Sequence, residues 1–124
     1  MLLETIRTAL VTAGVVDASW PCFIGYMPDD TDQSIGLYLT GGFAQDTQQG
    51  DNVWPTFQVT VRATQLDHAA CETKAWVVFN ALENQDLSGV FLLHAMQSSP
   101  GQWNDAKNRT NMSFNFRAGM SRPA

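Results

Sequence analysis

An α+β fold is the expectation for this chain of 124 residues. It is a mostly antiparallel sheet of four to five strands with two helices packed on one face. Three features carry that expectation. Segments 55–63 and 112–118 alternate apolar and polar residues with period two, so each has one face for a core. Segments 2–13 and 67–83 repeat apolar residues in steps of three and four, the helical period. Consecutive strands are joined by loops rather than helical crossovers, which favours antiparallel neighbours in two layers.

In chain order, Leu2, Leu3, Ile6, Leu10 and Ala13 share a helical face, and Gly14 ends the helix. A helix this short depends on packing. WPCFIGY (20–26) is apolar but broken by Pro21 and Gly25. It reads as a short edge strand, where a missing N–H is tolerated. PDDTDQ (28–33) is a turn-rich acidic loop. SIGLYLT (34–40) is a strand with Ile35, Leu37 and Leu39 on one face.

GGFAQDTQQGDNV (41–53) is too long and polar for a tight hairpin and is expected as a long loop. Phe43 is its one large apolar side chain before Val53. The segment is either an ordered functional loop or a mobile arm, and an ordered state needs something outside the loop to hold it, with Phe43 as anchor.

PTFQVTVRA (55–63) turns Phe57, Val59, Val61 and Ala63 inward and Thr56, Gln58, Thr60 and Arg62 outward. Asp67 caps a helix to about Glu83, with Cys71, Ala75, Val78, Phe79 and Leu82 as its apolar stripe. VFLLHAM (90–96) is almost wholly apolar and is expected at the centre of the sheet. Residues 98–111 form a second long loop. MSFNFRA (112–118) turns Met112, Phe114, Phe116 and Ala118 inward and Ser113, Asn115 and Arg117 outward. The whole chain, 1–124, is expected to be one domain.

Composition narrows the function. Seven Lys and Arg against twelve Asp and Glu give a net charge of −5. With only Lys74 and Lys107 as lysines, there is no basic run to hold nucleic acid or an anionic membrane. Charged residues make up 15% of the chain, below the usual value of about 25%. Neutral amides and hydroxyls replace them and are cheaper to desolvate than ions, which suits a surface covered by other subunits and equally an ordinary soluble domain. The 44% hydrophobic content excludes disorder over the whole chain. The start MLLETIRTAL lacks the charged-then-apolar pattern of a signal peptide. Synthesis in the cytoplasm with Cys22 and Cys71 reduced is the expectation.

No reactive constellation emerges. A nucleophilic cysteine needs a base in reach. Cys71 instead lies on the apolar stripe, with His68 three positions away at the helix start. His94, inside an apolar strand, is expected to be partly buried with a satisfied partner. Two cysteines and two histidines without C-x-x-C or H-x-x-x-H spacing give no zinc site. Asp29, Asp30 and Asp32 lack the Glu and Gly of a calcium loop. No catalytic residue, cofactor or metal is expected.

The stretch WPTFQVTVRATQLDHAACETKAWVVFNAL (54–82) resembles the bacteriophage minor capsid and tail terminator (tail-completion) proteins. In that family a strand P-x-F-Q-V-x-V-R runs into an Ala-rich helix containing A-W and ending A-L. The matching residues are Pro55, Phe57, Gln58, Val59, Val61, Arg62, Ala75, Trp76, Ala81 and Leu82. Pro100, Asp105, Arg109, Asn115, Phe116 and Arg117 are similar to the family's closing loop and strand.

The resemblance implies a virion protein of the tail and neck without catalysis, made in the host cytoplasm. It implies a ring, commonly a hexamer, that caps the tail tube and meets the head-completion or connector protein. DNA passes through without sequence-specific binding. The rival readings are another neck protein (head closure or connector adaptor), a small ligand-binding domain, and an enzyme using Cys71 or His94.

A ring needs two complementary surfaces. The outward sheet face offers Arg62, Arg117, Gln58 and Asn115, and the long loops offer Phe43, Trp103 and Arg109. If the strands of Arg62 and Arg117 are neighbours, those two arginines converge on one open surface.

Overall fold

A computed structural model describes residues 1–43 and 51–123. Its elements are α1 (Leu2–Thr12), β1 (Cys22–Ile24), β2 (Ser34–Phe43), β3 (Asn52–Gln65), α2 (His68–Leu82), β4 (Val90–Ala95), β5 (Gly101–Asn104) and β6 (Arg109–Ser121). The strands form one open sheet in the order β1-β2-β3-β6-β4, with β5 also paired to β6. Only β1 and β2 are parallel; the other pairs are antiparallel. The α+β arrangement matches the expectation, with β5 as the added strand.

The two alternating segments pair with each other. Phe57 faces Phe116, Val59 faces Phe114 and Val61 faces Met112. All six are buried, and the Phe57 and Phe116 rings stack at 5.4 Å. Ile6 and Leu10 of α1 and Cys71, Ala75, Val78 and Leu82 of α2 close the core from one side. Small Cys71 and Ala75 let α2 lie close to the strands, while Trp76 and Phe79 pack edge-on or tilted against Phe114. Leu39 shares the face of Ile35 and Leu37 but is 63% exposed, because the helical layer ends before it.

Three expectations change. VFLLHAM lies at the edge, not the centre. Its apolar run serves two surfaces: Val90, Leu93 and Ala95 face the core, while Phe91 and Met96 are exposed. The end of α2 closes this edge, since the Ala95 N–H donates to Glu83 Oε2 at 2.6 Å and the Asn84 N–H to the Leu93 carbonyl at 3.0 Å. The central positions belong to β3 and β6, whose alternation had marked only one face as buried.

Segment 98–111 contains β5, which continues the line of β4 along β6. The inserted residues between them are bridged by Gln97, whose Oε1 accepts from the Asn115 N–H at 2.7 Å. Little in the side chains of Gly101–Asn104 announces a strand; the free edge of β6 makes it one.

Within 41–53, Gly41–Phe43 belong to β2, and β3 begins at Asn52. The expected loop thus shrinks to a stretch that, over 44–50, lies outside the described residues. The two glycines that suggested a loop serve an irregular strand pairing. Gly41 has φ +96°, and a Cβ on Gly42 would fall 2.5 Å from the Trp54 carbonyl oxygen.

Asp67 caps α2 by accepting the Ala70 N–H at 3.2 Å. Asp67→Ala is expected to cost about 1 kcal/mol in urea unfolding, and Asp67→Asn only a few tenths, because Asn also accepts at an N-cap.

Candidate functional site

The sheet face away from the helices carries Tyr38 and Thr40 from β2, and Trp54, Thr56, Gln58, Thr60 and Arg62 from β3. Asn111, Ser113, Asn115 and Arg117 come from β6. Trp103 of β5 sits opposite Asn111, and His94 of β4 opposite Arg117. Period two places all of them on this side but does not say what covers them.

One end is closed by the acidic loop 27–33. Arg62 is 6% exposed: its Nε donates to the Asp32 carbonyl at 3.1 Å, and Nη2 donates to the carbonyls of Pro28 and Thr31. Arg109 is 4% exposed and reaches the same loop. Its Nη2 donates to Asp29 Oδ1 at 2.8 Å, Nη1 to the Asp29 carbonyl at 2.9 Å and to Asp32 Oδ1 at 3.3 Å, and Nε to Asp105 Oδ2 at 2.9 Å. Lys107 adds an ion pair with Asp29 at 2.6 Å. The loop also needs Gly36 beneath it, where a Cβ would sit 2.6 Å from Met27 Cγ.

The electrostatics follow from this geometry. Hydrogen bonds from Lys107 and then Arg109 hold the Asp29 carboxyl below its usual range. Burial works to raise Asp105, but the backbone and side-chain N–H groups of Arg109 outweigh it, and its pKa is lowered. Burial, and then the nearby Arg109, lower the pKa of Arg62.

Arg62 and Arg109 therefore do not stand on an open face; within this chain they fasten a loop to the sheet. Nor do Arg62 and Arg117 converge. Their strands are neighbours, but Arg62 pairs with Asn111 and Arg117 with Thr56, so they stand about 20 Å apart. The acidic loop that fitted no calcium pattern is the arginines' acceptor set. No local period could show this, because the partners lie far apart in sequence.

The middle of the face is polar. Met27, Tyr38, Gln58, Thr60, Trp103 and Asn111 help line a depression of about 330 Å³. Gln58 accepts from the Thr60 hydroxyl at 3.2 Å, and the Asn115 amide donates to Gln97 Oε1 at 3.2 Å. Trp103 is 44% exposed at the rim.

The other end is aromatic and open. Phe43 and Phe91 are 52% and 56% exposed. Trp54 meets Phe91 edge-on at 5.6 Å, and the Arg117 guanidinium lies 5.7 Å from the centre of the Phe43 ring. Trp54 Nε1 and Arg117 Nε are buried without a hydrogen-bond partner among the described residues. Phe43 and Arg117, both sequence candidates, meet here. Trp54 and Phe91 were missed, although an aromatic on the polar phase of β3 was the available signal for Trp54.

Cys71 is not poised for chemistry. Its thiol donates to the Val61 and Thr110 carbonyls at 3.3 and 3.4 Å, and burial pushes its pKa up to about 11, so it stays protonated at neutral pH. His94 is more exposed than expected, with Nδ1 2.6 Å from Glu83 Oε1 at the edge that α2 closes. Among the described residues no three His, Cys, Asp or Glu side chains are grouped to hold a metal ion.

A sequence-family profile described as "Bacteriophage tail terminator protein" matches residues 9–121. No curated protein matches the chain. A solved chain described as "Virion of native gene transfer agent (GTA) particle" aligns with a TM-score of 0.71 at 17% identity, covering 95% of this chain and 92% of that one. At that identity the likeness concerns the fold.

The arginine fastening gives a stability prediction. Arg62→Ala leaves three loop carbonyls without their donor and is expected to cost about 1–3 kcal/mol. Arg62→Lys recovers only part of this, because an ammonium cannot reproduce the fork. The lowered pKa values of Asp29 and Asp105 contribute stability that is present above the ordinary carboxylate range and lost as pH falls through their folded values. Arg109→Met should therefore flatten the decline of urea-unfolding stability below about pH 4. An unchanged acid limb would remove Arg109 from this role.

Proposed function

The chain belongs to the bacteriophage tail terminator family, and from this we propose that it ends the tail tube by closing into a ring on it. The family match over residues 9–121 carries the reading. It makes the protein a structural component of a phage tail; the ring and its contacts are our extension. Copies assemble head to tail, commonly as a hexamer, through two different surfaces of each chain until the rotation closes. One rim of the ring seats on the major tail tube protein. The other meets the head-completion or connector protein in the neck, and DNA passes through the hole without sequence readout.

Several features support this reading. The low content of exposed ions makes the surface cheap to cover. Within the outward face, Gln58, Asn115 and Trp103 lie between a closed acidic end and an open aromatic end holding Phe43 and Arg117. Arg62 and Arg109 contribute by holding the acidic loop in shape. Cys71, buried and protonated, supports a structural rather than a chemical role.

Phage assembled without this protein tests the reading. Electron microscopy is expected to show overlong tubes and heads without tails, and purified protein added to growing tubes is expected to stop them. Tubes of normal length joined to heads in its absence would overturn it.

A further inference from the structure

We propose that the Phe43–Trp54–Phe91–Arg117 patch of one copy receives the 28–32 turn of the next copy, with the Asp30 carboxylate accepting from the Arg117 guanidinium. The proposal rests on the ring reading and specifies its interface.

The patch asks for an acceptor. Arg117 is half-buried, and its Nε lies buried without a partner among the described residues. A desolvated donor left without an acceptor is unfavourable. None of the ion pairs among the described residues includes Arg117. Its guanidinium lies against the face of Phe43. Beside it on β4, His94 is held by Glu83, which therefore does not neutralise Arg117. Half-exposed Phe43 and Phe91 flank this donor, so an incoming carboxylate would be sheltered from water. Aromatic residues around an arginine are the usual composition of an interface centre.

The matching acceptor is on the same chain but out of reach. Of the three carboxylates in the 28–32 turn, Asp29 and Asp32 are engaged by Arg109. Asp30 is exposed, and its contact is the Thr31 hydroxyl at 3.4 Å. The turn and the patch occupy opposite ends of one sheet face, about 20 Å apart along β3. They cannot meet within a chain, yet they can meet between chains. Joining one end to the other end of a neighbour is heterologous, the kind of contact that repeats around a ring. Arg62 and Arg109 already fix the turn, so little ordering cost falls on docking.

Charge exchange tests the pairing. Arg117→Glu and Asp30→Lys are each expected to weaken self-association about tenfold or more, read by analytical ultracentrifugation or on tail tubes. An equimolar mixture of the two variants should assemble again. In alternating order every junction is then either native or charge-reversed with complementary signs.

Asp30 is exposed, so its variant should keep the fold. If Arg117→Glu does not fold, Arg117→Gln takes its place in the weakening test. Asp30→Asn and Asp30→Glu then separate charge from shape: the first is expected to weaken assembly and the second to keep it. Single variants that assemble like the unaltered protein overturn the pairing. So does a mixture of the two folded variants that stays apart while the unaltered protein forms rings, or an Asp30→Asn variant that assembles as well as Asp30→Glu. Loss of tube capping by Arg117→Glu with rings intact also overturns it and assigns the patch to the tube protein. An unaltered protein that forms no ring, free or on tubes, removes the ring reading itself, a result distinct from any of these.

Discussion

The antiparallel pairing of β3 with β6 is the constraint from which the rest of the molecule follows. Both strands are long, and both alternate with the same phase across the register Phe57–Phe116, Val59–Phe114 and Val61–Met112. That register gathers three large aromatics and their aliphatic neighbours on one face, where α1 and α2 must settle to exclude water. A slip of one residue by either strand would turn its apolar set outward and bring its arginine, Arg62 or Arg117, into the core, so the register is strongly specified. The same register places Asn111 beside Arg62 and Thr56 beside Arg117, which sets the distance between the two ends of the outer face.

The outer face divides between a structural requirement at one end and, in the proposed ring, an assembly surface at the other. At one end, arginines from β3 and β6 have taken the carbonyls and carboxylates of a loop from between β1 and β2. Their planar forks suit several acceptors at once. Bonds of this kind join elements far apart in sequence and hold the turn in one shape. At the other end the sheet outruns its cover. Phe43 and Phe91 are exposed there, with half-buried Trp54 edge-on to Phe91, an arrangement a free monomer has no reason to keep. The proposed ring supplies such a reason, because a neighbouring copy would cover them.

Much of the core was legible residue by residue. Alternation in 55–63 and 112–118 named the buried positions, and the Asp67 cap and the stripe from Cys71 to Leu82 placed α2. Periodicity failed where the answer depended on what lies above a face. Arg62 is on the predicted side of β3 but buried, because its cover comes from residues 28–32. Apolar 90–96 went to an edge because its two faces are apolar for different reasons, one for the core and one for the patch. Leu39 kept its phase but outran the helices. Of the site, Phe43 and Arg117 were found as separate candidates. Their meeting with Trp54 and Phe91 needed the register, and an interface leaves no period of its own in a sequence. The family was legible because the P-x-F-Q-V-x-V-R strand is a packing motif, not a catalytic one.

In the proposed ring, assembly covers the open aromatic end of the outer face and the 28–32 turn while leaving the helical layer in water. Hydroxyl-radical footprinting read by mass spectrometry, on the free protein and on capped tail tubes, tests this most directly. Oxidation of Phe43, Trp54 and Phe91 is expected to fall several-fold on assembly, together with modification across residues 28–32. Exposed positions on the helices, such as Val11 and Val77, should be unchanged. Protection confined to Val11 and Val77, with Phe43 and Phe91 still oxidised at their free rate, would contradict it.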